Sequence, residues 1–203
     1  MSAALILISR FSLAPFSVEA IRPNLIDSTT VRYLISADRQ ELLQLRAYDN
    51  IGAFALGADE LSADRQRFAS HMTGDVRREL LQYVEAPKPA DSPLPQTDHL
   101  QLRHVEVPPQ RETAYRAWRE ETIFQVIRES PLIHTFLAYH SIVSGQPGVM
   151  FLSGFNGDPQ KYLSIFSSER YQEIVRQAGD RYITGGTDGL YTRLYSHPKF
   201  LAA

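Results

Sequence analysis

The chain has 203 residues, 43% of them apolar and 22% charged, with a formal net charge of −2. That is ordinary globular usage for one large domain or two small ones, and it excludes wholesale disorder and the basic footprint of a nucleic-acid binder. Cysteine is absent, which excludes disulfides, Cys-ligated zinc, iron–sulfur clusters and thiol catalysis, and a cytoplasmic location is expected.

The N-terminal run "ALILISRFSLAP" reads as a buried strand ended by Pro15. Its apolar core, Ala3 to Ile8, is too short for a leader and lacks a basic flank. "FSVEAIRPNLIDS" is a short helix interrupted at Pro23. "TTVRYLISAD" and "ELLQLRAYDN" are two strands joined by a charged turn. "IGAFALGADELSADRQRFASHM" is helical in two segments, with Asp59 or Ser62 as caps. "DVRRELLQYVEAP" closes the first half as a strand.

"PKPADSPLPQT", residues 87–97, holds four prolines and no apolar periodicity, so it is a linker. "DHLQLRHVEVP" is the next strand. In "RETAYRAWREETIFQVIRES" the residues Tyr115, Trp118, Thr122, Ile123, Val126 and Ile127 recur at helical spacing, and Pro131 marks the stop. "LIHTFLAYHSIV" (Leu132 to Val143) and "VMFLSGF" (Val149 to Phe155) are strands. Asp158 and Pro159 open a helix in two segments that breaks near Ser167 and Ser168, with Gly179 as its stop. The loop "TGGTDG" (Thr184 to Gly189) lacks the P-loop Lys-Ser/Thr and precedes a strand, so it reads as a turn. "LYTRLYSHP" is the last strand. No stretch approaches the roughly 20 apolar residues of a membrane span, and no membrane partner is expected.

Each half has the order β-α-β-β-α-β, the ferredoxin-like arrangement. The closing strands "YVEAPKP" and "LYSHPKF" end alike, which argues for a tandem duplication: repeat one over 1–86, linker 87–97, repeat two over 98–203. Leu5-Ile6-Leu7-Ile8 and Val149-Met150-Phe151-Leu152 are apolar on both faces. Helices can cover only one face of each sheet, so the other must meet a second sheet. The fold class is therefore α+β: two antiparallel four-stranded sheets packed into an eight-stranded barrel with helices outside. A monomeric barrel and a homo-oligomer that pairs sheets between chains both satisfy the pattern.

The segment "FNGDPQKYLSIFSSERYQEIVRQAG", Phe155 to Gly179, follows strand, turn, short helix, Ser-x-x-Tyr and a second helix segment. "AYDNIGAFALGADELSADRQRFASHM" echoes it in the first half. On these residues the chain resembles the dimeric α+β barrel superfamily, which includes antibiotic-biosynthesis-type monooxygenases and NIPSNAP and EthD-like proteins. The resemblance covers nearly the whole chain but marks a fold that hosts many activities. It implies a site in a cleft between a sheet and its helices, with cofactor-free oxygenation, haem degradation, isomerisation or ligand binding alone as activities. Trp118 and the histidines do not align with the Asn, Trp and His set of the haem-degrading members, and haem stays open as a ligand.

Five of six histidines follow the linker, which directs attention to repeat two. His134, His140 and His104 are candidate general bases, since imidazole titrates near neutral pH. His134 and His140 are six apart on one strand, about 20 Å, too far to share a metal ion, and no metal site is expected. Arg103 and His104 are adjacent on a central strand, so they face opposite ways, and a polar side chain buried there needs a partner. Trp118, Tyr115, Tyr139, Phe136 and Phe166 could line an aromatic pocket, with Arg103 as a polar contact. The function expected is a cofactor-independent enzyme, monooxygenase- or isomerase-like, acting on a small apolar or aromatic molecule in the repeat-two cleft. The alternatives are a non-catalytic ligand-binding or stress-related barrel, or a structural subunit with a filled barrel.

Overall fold

A computed structural model of the chain describes residues 1–184 and 190–201. Repeat one contains β1 (Leu5–Ser12), α1 (Ser17–Ile21), β2 (Val31–Ser36), β3 (Glu41–Tyr48), α2 (Ile51–Leu56), α3 (Ala58–Phe68) and β4 (Arg77–Lys88). Repeat two contains β5 (His99–Val105), α4 (Glu112–Glu121), α5 (Ile123–Glu129), β6 (Thr135–Val143), β7 (Val149–Phe155), α6 (Pro159–Ser164), α7 (Glu169–Arg181) and β8 (Leu190–Ser196). The eight strands form one closed antiparallel barrel, β1-β3-β2-β8-β5-β7-β6-β4. Each repeat supplies a four-stranded ferredoxin-like sheet, and the two sheets join at their edges within a single chain.

The two seams differ. β4 pairs with β6 from Leu80↔Val143 to Lys88↔Phe136, with register shifts along the way. β2 and β8 share only Ile35↔Ser196 and Ser36↔Tyr195. Alternate residues of the strands fill the lumen: Ile6, Ile8, Leu43, Leu81, Leu102, Leu137 and Leu152 are all buried there. The other faces meet the helices, in a cluster around Phe124, Phe136 and Phe151 in repeat two and around Phe11 and Phe68 in repeat one. This double burial explains strands apolar on both faces.

The proline-rich linker is a stopper for the lumen. Strand β4 runs to Lys88, past the boundary read at residue 86. Beyond it, Ala90 and Leu94 insert into the lumen cluster, and Leu94 is fully buried. The Pro93 carbonyl accepts from the Ala3 N–H at 3.0 Å, and Arg32 donates to the carbonyls of Pro95 (3.1 Å) and Thr97 (3.0 Å). Prolines suit this role because each carries one fewer donor to satisfy.

Some boundaries differ from the sequence reading. The helix over 111–130 breaks at Thr122, whose hydroxyl donates to the Trp118 carbonyl at 2.7 Å and competes with helix continuation. Asn50, not Asp59 or Ser62, caps the first helical pair through the Ala53 N–H at 2.9 Å. Ser168 caps α7 as expected, but α7 continues through Gly179 to Arg181. His134 precedes β6, so it does not share a strand with His140. The "TGGTDG" turn lies, after Thr184, outside the described residues.

Candidate functional site

Strand β5 alternates between lumen and cleft. Leu102 and His104 point into the barrel, while Gln101, Arg103 and Val105 point to the helices. The pleat thus separates the adjacent pair Arg103 and His104 into two environments.

Arg103 lies on the floor of the repeat-two cleft. Its guanidinium donates to the Tyr171 hydroxyl and is 3.5 Å from Gln101 Oε1. The carbon of its head is 4.7 Å from the Phe166 ring centroid and 5.3 Å from that of Tyr171. Among the described residues no carboxylate lies within ion-pair distance of it. Burial pulls its pKa below the usual guanidinium value, with Tyr162 and Tyr115 acting the other way. A partly buried cation held only by neutral groups and ring faces has much of its desolvation cost uncompensated.

Aromatic side chains surround it. Tyr115 stacks on Trp118 at 6.0 Å between centroids and meets Tyr182 at 5.7 Å. Phe136 lies 5.3 Å from Phe151, and Phe166 meets Tyr171 edge-on at 5.0 Å. Burial pushes the Tyr115 hydroxyl up to about 12, so it stays protonated and serves as a donor at neutral pH. Arg103, Tyr115, Phe136, Phe151 and Tyr171 line a remaining void of about 30 Å³. That is room for about one water molecule.

Arg119, one turn beyond Tyr115, is a second buried cation. It is 1% exposed, forms an ion pair with Glu85 of β4, and lies over the rings of Tyr115, Phe124 and Phe151 at 5.3–5.5 Å. Its Nε and Nη1 have no hydrogen-bond partner. Repeat one thus contributes a carboxylate to the helix layer of repeat two.

The structure brings together Arg103, Tyr115, Trp118, Phe136 and Phe166 of the residues singled out from sequence. It places the others elsewhere. Tyr139 lies in the lumen and donates to the Ala3 carbonyl at 3.0 Å. His104 is also in the lumen, stacked on Tyr191 at 5.0 Å, with Nε2 donating to the Pro147 carbonyl at 2.8 Å. His134 is exposed. His140 is half-buried, with Nδ1 3.0 Å from the Ser141 carbonyl. No histidine lines the void. Four contributors escaped the sequence reading: Arg119, Phe151, Tyr171 and Gln101. Arg119 sits in a run of Arg and Glu that resembles a solvent face. Tyr171 carried a signal, as the tyrosine of the Ser-x-x-Tyr motif.

The equivalent cleft of repeat one is closed by charge. Arg46 donates to Asp64 at 2.8 Å, and Gln44 donates to Asp64 at 2.8 Å and to Tyr33 at 3.0 Å. Asp64 follows Tyr48 by the same interval that separates Tyr171 from Phe155, and Tyr48 and Phe155 hold matching ends of the two ladders. A carboxylate on the helix thus satisfies the sheet's arginine in repeat one, and a phenol stands there in repeat two.

The described residues contain no group of His, Asp and Glu able to hold a metal ion, and no helix long and apolar enough to cross a membrane. No protein-family model matches the sequence, and no curated protein matches it. Solved structures do. A protein from Fusobacterium nucleatum provisionally named a monooxygenase superposes with a TM-score of 0.67 at 11% identity, over 97% of this chain and 93% of that one. What is shared is the closed eight-stranded α+β barrel. An anthrone oxidase-like protein matches the barrel with a TM-score of 0.67 at 13% identity, over 95% of this chain and 90% of that one. A haem-degrading enzyme from Listeria monocytogenes matches with a TM-score of 0.55 at 7% identity, over 96% and 98%. At these identities the likeness shows the fold alone. The void of about 30 Å³ in this cleft, room for about one water molecule, does not fit a haem.

Proposed function

We propose that the protein is a cofactor-independent enzyme of monooxygenase or isomerase type, and that its substrate is a small, flat, mostly apolar molecule that carries or develops negative charge on oxygen. The supporting observation is Arg103: a cation without a carboxylate, among aromatic rings, on the floor of the repeat-two cleft. An enol or phenol bound there would have its pKa lowered by the adjacent cation, so its proton could leave to solvent without a protein base. Arg103 and the Tyr171 hydroxyl would then hold the oxyanion in a site of low polarity, where such interactions are strong. Tyr115, Trp118, Phe136 and Phe166 would bind the ring system. The three histidines have no part in this reading.

A second reading, a structural barrel with no ligand, is favoured by the small void of about 30 Å³. The first reading requires the helices to move outward on binding. Titration with 1-naphthol, 2-naphthoate and naphthalene, followed by fluorescence and oxygen uptake, separates the two. The expected result is preference for the ionisable compounds over naphthalene, lost in Arg103→Met. Absence of binding by all three would leave the structural reading, and equal binding by the variant would remove Arg103 from the site.

A further inference from the structure

A different cavity system lies at the mouth of the barrel, away from the cleft. Strand β8 pairs with β2 only at Tyr195 and Ser196, so its residues 190–194 overhang the lumen entrance unpaired on that edge. A groove of about 680 Å³ opens there, lined by Ser12, Ser36, Thr73, Glu41, Arg77 and Arg193 among others. A second cavity of about 340 Å³ shares Arg77 and Arg193 with it and adds Arg10, Arg78 and Glu79. Ser144, Gly145 and Gln146, from the β6–β7 hairpin, form the cover of this smaller cavity.

The charges are unequal. Four arginines and one carboxylate, Glu79, line the smaller cavity, but the Arg78 guanidinium turns to the helix layer and donates to the Leu61 carbonyl at 2.8 Å, which leaves the heads of Arg10, Arg77 and Arg193. Glu79 is neutralised by Arg10 on the floor, where both residues are at most 5% exposed, and Arg10 Nε has no hydrogen-bond partner. Glu41 is neutralised by Arg193 and accepts from the Tyr195 hydroxyl. Asp38, at the far end of the larger groove, is held by the Ser36 hydroxyl and the Gln40 N–H. Arg77 has no hydrogen-bond or ion-pair partner among the described residues. The positive charge therefore exceeds the negative at the hairpin end, on strand ends that cannot easily move apart.

The hairpin is latched from inside the lumen. His104 Nε2 donates to the Pro147 carbonyl at 2.8 Å, and the Tyr191 hydroxyl donates to Gln146 Oε1 at 2.9 Å while accepting from Arg10 at 3.1 Å. Gly148 closes the turn at φ 130, where an added Cβ would lie 2.6 Å from the Val105 carbonyl oxygen. His104 thus positions a cover, in place of the catalytic role expected from sequence.

We propose that this barrel mouth binds a small dianion, a phosphate monoester or a dicarboxylate, through Arg77 and Arg193 under the 144–148 hairpin. Guanidinium forks match both anions, and the serine and glutamine side chains of the cover supply further polar contacts. The site is independent of Arg103. The test is calorimetric titration of the full chain with inorganic phosphate and with malonate, at an ionic strength fixed by sodium chloride. Saturable binding of at least one is expected, weakened about tenfold in Arg77→Gln, the loss of one charge-assisted contact, and unchanged in Arg103→Met. Phosphate alone would point to a phosphate monoester, malonate alone to a dicarboxylate, and both to the shared chemistry. Absence of binding by either anion, or equal binding by Arg77→Gln, would overturn the proposal. Arg77→Gln is the deciding variant, because Arg193 also holds Glu41 in the folded barrel.

Discussion

Ser9 and Arg103 occupy the same position in the two sheets. Ser9 stands opposite Gln44 in the β1–β3 ladder, four residues in from the Leu5↔Tyr48 pair, and Arg103 stands opposite Phe151, equally far in from His99↔Phe155. The duplicated scaffold thus presents a small neutral side chain to one cleft and an unpaired cation to the other. Arg46 and Asp64 lock the first cleft, and no carboxylate locks the second. The asymmetry makes the repeats chemically distinct while the backbone remains two-fold.

Arg103→Met should stabilise the ligand-free protein, because a partly buried cation without a carboxylate gives way to an apolar side chain of similar length. A gain of about 1 kcal/mol is expected, together with loss of anionic ligand binding. Urea denaturation measures the first quantity. A large destabilisation would mean that the Tyr171 and ring contacts outweigh the burial cost.

Leu94→Ala should destabilise the whole barrel. Leu94 is fully buried in the lumen cluster from within the linker, so truncation leaves a cavity costing about 2–5 kcal/mol. A loss below about 0.5 kcal/mol, typical of surface positions, would show that the linker does not plug the lumen in solution.

Gly154→Ala should also destabilise. A Cβ at Gly154 would lie 2.4 Å from Thr135 Oγ1 and 2.6 Å from Thr97 Oγ1, both on well-packed residues. Overpacking of this kind costs about 1–3 kcal/mol. Thr135→Ala in the same background should recover part of the loss, as a thermal unfolding series would reveal.

Proteolysis within 87–97 should not release two soluble monomers. The β4–β6 ladder, the Glu85–Arg119 ion pair and the Arg32 bonds to the linker all cross between the halves. After cleavage, size-exclusion chromatography should give either one associated species or aggregate.

Stability should fall as the solution is acidified below pH 6.5. His99, His104 and His197 all have pKa values lowered from 6.5, chiefly by burial. The unfolded chain then binds protons before the native one does, so stability present above pH 6.5 is lost as pH falls toward the depressed native values. The melting temperature followed from pH 7.5 to pH 5 tests this, and a flat profile would show that these imidazoles are not buried neutral.

Element order, the two-fold repeat and the helix-outside barrel were legible in the sequence because they rest on local signals. Periodicity, caps and proline stops are set by neighbouring residues, and strands apolar on both faces require covers on both faces. Four aromatic members of the cleft, Tyr115, Trp118, Phe136 and Phe166, were legible from local pattern, since Tyr115 and Trp118 share a helix face. Which way each residue of β5 points was not legible. Strand parity sends Arg103 to the cleft and His104 to the lumen, and no local signal distinguishes that choice from its mirror when both faces are buried. Arg119 read as solvent-exposed because its partner, Glu85, comes from the other repeat.

The amino-acid sequence by itself determined two ferredoxin-like units and the need of each sheet for a second cover. Only the tertiary structure decided that one chain supplies both sheets, that the proline-rich segment seals the lumen, and that Arg103 is left without a carboxylate. Those outcomes depend on contacts between residues far apart in the chain, where register and closure, not local preference, set which groups meet.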